Sequence, residues 1–192
     1  MLRGVQHRKR KANRGPAAAG ENRSALLAAA REVFSERGFH VPLSAIAKKA
    51  GVGQGVLYRH FSSRIEIAFA VFEDNWAELE ALGRDADPNA FGRLWRLLIE
   101  KTIEERAFIE MIIDARRTID DYDGDVRLKR VLAKSLKRAQ DAGLVSKELR
   151  ADDVMAVQRL VLGMVVTSPD GAPVRKQAAR ALSVAGLLPP IG

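Results

Sequence analysis

The sequence predicts an all-α protein. Apolar residues recur every three to four positions through most of the 192 residues, the spacing that gathers them on one face of a helix. No segment shows the sustained alternation of a half-buried strand. Glycine and proline fall between the periodic segments, where they end helices and make turns. Together these divide the chain into about nine helices.

The first stretch, residues 1–23, is polar and basic and lacks apolar periodicity, so an ordered helix is expected only after it. Asn22 or Ser24 can cap that helix. Its apolar face is Leu26, Leu27, Ala30, Val33 and Phe34, and Gly38 supplies the stop. A short helix is expected from Leu43 to Ala50, just after Pro42, with Leu43, Ile46, Ala47 and Ala50 inward. Gly51-Val52-Gly53 forms a turn into a second short helix, Gln54 to His60. Ser63-Arg64-Ile65-Glu66 is a capping box, with Ser63 as N-cap and Glu66 reaching back. It opens a long helix to about Leu82 with a stripe of Ile65, Phe69, Phe72, Trp76 and Leu79.

Beyond the break at Asp85-Ala86-Asp87-Pro88, helices are expected over about 89–105 and 107–119. An acidic loop, Asp120 to Asp125, follows. Two further helices cover about 126–142 and 151–167, and a last one runs from about Pro173 to Leu188.

Charge separates the chain into two parts. Residues 1–64 hold 13 Lys/Arg against 3 Glu, and residues 65–192 hold 19 Lys/Arg against 21 Asp/Glu. A basic first third before a near-neutral body is the electrostatic pattern of a nucleic-acid-binding head. Charge alone fits a solvated basic tail equally well.

Two short helices joined by a glycine-bearing turn, with a helix packed before them, make a helix-turn-helix. A helix about 10–12 Å across fits the major groove. Leu57 and Phe61 can hold the second short helix against Ile46, Ala47 and Val52. Gln54, Gly55, Tyr58 and Arg59 are then free to face outward. Glutamine can pair bidentately with an adenine edge, and Arg, Tyr and His can reach phosphates or bases.

The run Ile46-Ala47-Lys48-Lys49-Ala50-Gly51-Val52-Gly53-Gln54-Gly55-Val56-Leu57-Tyr58-Arg59-His60-Phe61, followed by Ser62-Ser63-Arg64, resembles the TetR family of bacterial transcriptional regulators. The resemblance covers about residues 24–72. It implies an N-terminal three-helix DNA-binding domain and a C-terminal helical domain that binds a small molecule and dimerises. It also implies that Tyr58 and His60 bind the DNA backbone and that Gln54 reads a base. Gly53, Gly55 and Arg59 would line the groove, and Ser44 and Arg64 would contact phosphates. Arg64 has a separate argument, since a cation in the first turn of a helix opposes the macrodipole unless an anion lies nearby. Val56 stands where a hydroxyl residue is usual and could touch a thymine methyl. Gly53 replaces a common serine and weakens the N-cap; Pro42 replaces the usual threonine. The expected organisation is a disordered basic arm over 1–23, a DNA-binding domain over 24–64, and a ligand-binding and dimerisation domain over 65–192. The arm can add affinity, either in the minor groove or by general attraction to phosphates.

In the body, the helix Ala151 to Thr167 is apolar nearly all round its second half, and the last helix is small and apolar. Such helices need cover on more than one side. They are either buried within one subunit or paired with their copies across a two-fold axis. The pairing nominates Leu160, Met164, Leu182 and Ala185 for a homodimer interface. Phe72, Trp76, Trp95, Phe108 and Met111 are candidates to line a pocket for a small-molecule effector, with plain core as the default for each. Glu100, Glu104, Glu110 and Asp114 would select a cation only if they turned inward.

Enzyme chemistry finds little support. The three histidines, His7, His40 and His60, lack metal-ligand spacing, and there is no cysteine. Gly51-x-Gly53-x-Gly55 follows a helix and lacks the third glycine of a dinucleotide fingerprint. Asp121 to Asp125 resembles a calcium loop, but its glycine is misplaced and Leu132 occupies the last ligand position. No cofactor, metal or membrane partner is expected. The longest apolar run, Leu160 to Val166, is far below the ~18 residues of a spanning helix. The expectation is therefore a cytoplasmic, ligand-released repressor bound as a homodimer to a palindromic double-stranded operator. The competing reading is a DNA binder whose body only dimerises.

Overall fold

The computed structural model describes residues 16–169 and 173–185. Among them are α1 (Pro16–Arg37), α2 (Leu43–Lys49), α3 (Gln54–His60), α4 (Arg64–Arg84) and α5 (Ala90–Glu104). They are followed by α6 (Arg106–Thr118), α7 (Gly124–Asp141), α8 (Ala151–Thr167) and α9 (Val174–Ala185). No strand occurs among the described residues.

The first helix starts earlier than the capping residues suggest. Pro16 is preorganised for a first helical position, and the alanines after it have the highest helix propensity. The helix therefore takes in residues 16–23 of the expected arm, and neither Asn22 nor Ser24 begins it. Residues 1–15 of that arm lie outside the described residues, as do 186–188 of the last helix and Asp170-Gly171 of the turn before it.

Two cores organise the chain. The first joins α1, α2 and α3 to the first half of α4 and to α6, around Phe34, Phe39, Ile46, Leu57, Ile67 and Met111. The second joins the second half of α4 to α5, α7, α8 and α9, around Trp95, Leu94, Leu132, Val154 and Ala178. Helix α4 runs through both. The boundary expected at residue 64 thus falls inside one packing unit, because Ile67, Ala68 and Val71 are buried with the head.

The buried face of α4 is Ile67, Ala68, Val71, Trp76 and Leu79. Ile65, Phe69 and Phe72 of the expected stripe are only half-buried, against the edge of the first core. The stripe is rotated because α4 is packed from several sides, by α1, α5, α6 and α7.

Candidate nucleic-acid interface

The head is built by local signals that work as read. Helix α2 ends at Ala50, and Gly51 adopts φ 69°, a conformation that costs a glycine little. The Val52 N–H reaches Ala47 O at 3.0 Å and the Gly51 N–H reaches Lys48 O at 3.2 Å, the paired bonds of a Schellman cap. This cap turns the chain directly into α3. There Leu57 and Phe61 are almost fully buried in the head core. Their burial fixes the helix about its axis, so Gln54, Gly55, Tyr58 and Arg59 are exposed on its other side. Tyr58, at 56% exposure, is one of the few large side chains left open to solvent.

The flanks of this face divide. Ser44 and Gly53 are exposed, while Val56 and His60 are half-buried at its edges. Gly53 caps α3 in extended backbone with no side-chain bond, as its missing hydroxyl requires. A Cβ at Gly53 or at Gly55 would meet nothing within 4 Å. Internal packing therefore gives no reason for either glycine.

Arg64 departs from expectation. Its guanidinium lies 5.4 Å from the centre of the Phe39 ring, and Nη1 lies 3.4 Å from His40 Nδ1. Its Nε is buried without a partner. Aromatic contact attracts the cation back over the α1–α2 loop, a use that first-turn position alone could not reveal. Arg23, absent from the expected set, sits 5.4 Å over the Phe61 ring and is exposed, adding positive charge beside the end of α3. Its sequence signal is its helical phase on α1. Lys49 instead ties α2 to α1, with Nζ 2.6 Å from Glu32 and 3.8 Å from Glu36.

The start of α4 is capped as predicted on one side. Ser63 Oγ accepts from the Glu66 N–H at 3.2 Å. The Glu66 carboxylate, however, reaches past Ser63 to the Ser62 N–H at 2.6 Å and to its hydroxyl at 2.7 Å. The Ser62 hydroxyl and then its N–H hold the Glu66 carboxyl below the usual carboxylate range.

Head and body meet at α6. Glu110 Oε2 accepts the Phe39 N–H at 2.8 Å, and Arg106 Nε donates to Oε1 at 2.9 Å. Gly38 permits the first bond in two ways. It takes φ 78°, and a Cβ on it would stand 2.9 Å from that carboxylate oxygen. Beside this tie runs a groove of about 620 Å³, lined by Phe34, Phe72, Asn75, Glu105 and Phe108 among others. A smaller cavity of about 30 Å³ lies where the two cores meet, lined from α4, α5, α6, α7 and α8.

Of the five candidate pocket residues, Trp76 lines the small cavity and Phe108 lines both it and the groove. Phe72 lines the outer groove, stacked at 6.2 Å on Phe34. Trp95 and Met111 are solid core at 0% exposure and line neither. Their periodicity marks burial, and burial does not separate a core face from a cavity wall. Among the expected interface residues, Leu160 is 70% exposed and Met164 is half-buried. Leu182 packs inside its own subunit against the second core, at 7% exposure, because α9 folds back on α8. The side chain of Ala185 lies outside the described residues.

The geometry defines a helix-turn-helix protein with an all-helical body. Residues 26–71 match the family described as bacterial regulatory proteins, tetR family. The match takes in most of α1, all of α2 and α3 and the first part of α4. A curated relative, the HTH-type transcriptional activator FasR of Mycolicibacterium smegmatis, is 48% identical over 65 residues, 33% of this chain and 29% of the relative. The chain therefore spans about three tenths of that relative's length. The crystal structure of the TetR transcriptional regulator SCO0520 from Streptomyces coelicolor is 28% identical. The similarity covers 87% of this chain and 98% of that one, with a TM-score of 0.58. SmeT, the repressor of the Stenotrophomonas maltophilia multidrug efflux pump SmeDEF, shares the fold at 21% identity. Its TM-score is 0.62, over 88% of this chain and 93% of that one. Among the described residues no helix is long and apolar enough to cross a membrane.

Proposed function

We propose that the chain is a ligand-responsive transcriptional regulator that binds a palindromic double-stranded operator as a homodimer in the cytoplasm. The carrying observation is the exposed face of α3, Gln54, Gly55, Tyr58 and Arg59, on a helix held by buried Leu57 and Phe61. Such a face can enter a major groove without any change in the head. Tyr58 and His60 bind the backbone, Gln54 reads a base, and Gly53, Gly55, Val56 and Arg59 line the groove. Ser44 is a phosphate contact. Arg64 reaches phosphate only by leaving Phe39, and Arg23 adds a cation on the same side.

Helix α8 supplies the dimer face, with Leu160 and Val166 exposed on it. A lone apolar side chain in water is ordinary, but two on one helix beside half-buried Gly163 and Met164 fit a covered surface. The small void between the head core and the body core, enlarged by movement of a wall side chain, supports effector binding over a body that only dimerises. A molecule there acts on α6, and α6 holds the head through Glu110. To weaken DNA binding, the effector must favour the DNA-incompetent state by ~1–3 kcal/mol or more. Repression is the sign proposed, as in SmeT; FasR carries a related head in an activator, so the sign belongs to operator placement.

The test is a fluorescence-anisotropy titration of the full chain on DNA flanking its own gene. Tyr58→Ala is expected to weaken binding at least tenfold with the melting temperature unchanged. Equal binding by the variant removes the head assignment.

A further inference from the structure

Two residues that line the small cavity each carry a buried polar atom without a partner. Gln158 on α8 is 4% exposed. Its Nε2 lies 3.4 Å from Thr102 Oγ1, and its carbonyl Oε1 is buried and unbonded. Arg116 on α6 donates through Nη2 to Asp125 at 2.5 Å, and its Nε is buried without an acceptor. Both residues line the cavity. One orphan is an acceptor and the other a donor. A hydroxyl can serve both, giving its proton to Gln158 Oε1 and accepting from Arg116 Nε. The rest of the wall includes Trp76, Phe108, Leu128 and Leu162, which favour a ring. Asp125 already balances the Arg116 charge, so the ligand need carry none.

At about 30 Å³ the cavity has room for a water and no more. Tyr122 accounts for this. It lines the wall from the loop 119–123, between α6 and α7. Its ring stacks on Phe69 at 6.3 Å, with 17° between the planes. Its hydroxyl occupies the place where a Cβ on the buried Gly124 would stand. Burial raises its phenol pKa. Because the residue belongs to a loop, its ring can leave without unwinding a helix.

We propose that the effector is a single-ring hydroxylated aromatic, phenol in its simplest form, and that it enters by displacing the Tyr122 ring. Its hydroxyl takes up the bonds that Gln158 and Arg116 lack. This rests on the reading of the chain as an effector-responsive regulator. The incoming ring presses on Phe108 and Ile109, which line the cavity and also belong to the head core. Occupancy is thereby felt in the DNA-binding head.

The experiment titrates the full-length chain with phenol and with toluene, its hydroxyl-free analogue, by ligand-observed NMR. Phenol is expected to bind at least tenfold more tightly than toluene. Tyr122→Ala is expected to tighten phenol binding at least fivefold, and Tyr122→Phe, which keeps the ring, to stay within twofold of the parent. Gln158→Leu is expected to remove the preference for phenol over toluene. Should Tyr122→Ala fail to fold by circular dichroism, the phenol-to-toluene ratios of the parent and of Gln158→Leu decide. Equal affinities in the parent, or no saturable phenol binding, overturn the proposal and leave a buried water as the partner of both orphans. DNA binding measured without phenol keeps the two readings apart. If DNA is bound and phenol is not, the ligand class alone fails; if DNA is not bound, the regulator reading fails.

Discussion

Gly55 is the second residue of α3, on its exposed face, and a Cβ there would touch nothing in the protein. Glycine within a helix costs about 1 kcal/mol relative to alanine. Gly55→Ala is therefore expected to raise stability to chemical denaturation by about 0.5–1 kcal/mol. If the backbone at Gly55 approaches DNA closely, the same change lowers operator affinity. Gain of stability with loss of binding is the expected pair of results; a gain in both would move Gly55 off the DNA contact. Glu110 carries the opposite balance. Its carboxylate accepts the Phe39 N–H across the α1–α6 seam, and hydrogen bonds to charged groups contribute ~1.5–3 kcal/mol. Partial exposure reduces that, so Glu110→Ala is expected to cost about 1–2 kcal/mol in a denaturation curve. Operator binding should weaken at the same time, since the head loses a tie to the body. A variant as stable as the parent would remove Glu110 from that role.

Helix junctions show the same economy of local chemistry. Between α4 and α5, Arg93 bonds Asp85 at 2.6 Å and Asp87 at 2.7 Å. The Arg93 guanidinium, with the Asn89 N–H behind it, lowers the Asp87 carboxyl from 3.8 to about 2. A carboxyl lowered in the folded state stabilises it above its unfolded pKa, and that contribution is lost as pH falls from about 4 toward 2. Both carboxylates are solvent-accessible, so the effect on stability is small, and the titration itself is the sharper readout. By NMR, Arg93→Gln should raise the Asp87 midpoint toward 3.8, and an unchanged midpoint would refute the assignment. The head helices were legible for related reasons. Pro42, Gly51 and Ser63 act on their own neighbours, and sequence shows neighbours directly. The start of α1 was misplaced because a proline followed by alanines competes with a better-known capping residue. Glu66 was correctly read as a cap, and its shortest bonds go one residue further back, to the N–H and hydroxyl of Ser62.

Charge acts over the full length of the chain. The six Lys/Arg of residues 1–15 precede a head that is itself basic. Deleting residues 2–15, and not the helical residues after them, is expected to weaken operator binding and to flatten its salt dependence. Each lost phosphate contact lowers the log–log slope by about 0.9. Identical slopes with and without these residues would make them a bystander. The two-core arrangement bears on the same scale. Because α4 crosses both cores and α6 closes the head core, strain in the body has a packed route to the DNA face. A helix-turn-helix on an independent domain would have no such route.

The helices, their caps, the basic head and the DNA-facing side of α3 all follow from short-range rules: apolar spacing, left-handed turns at glycine, and adjacent charge. Those rules operate within about a dozen residues, so the order of residues along the chain was sufficient for them. Packing between distant segments settled the rest. It divided Trp76 and Phe108 from Trp95 and Met111, which share the same apolar character and differ only in what faces them. It drew Arg64 over Phe39, turned Leu182 inward, and left Gln158 and Arg116 each with an unbonded atom beside one cavity. Residues far apart in the chain meet only when helices cross, and crossing depends on side-chain fit over the entire chain, which periodicity does not encode.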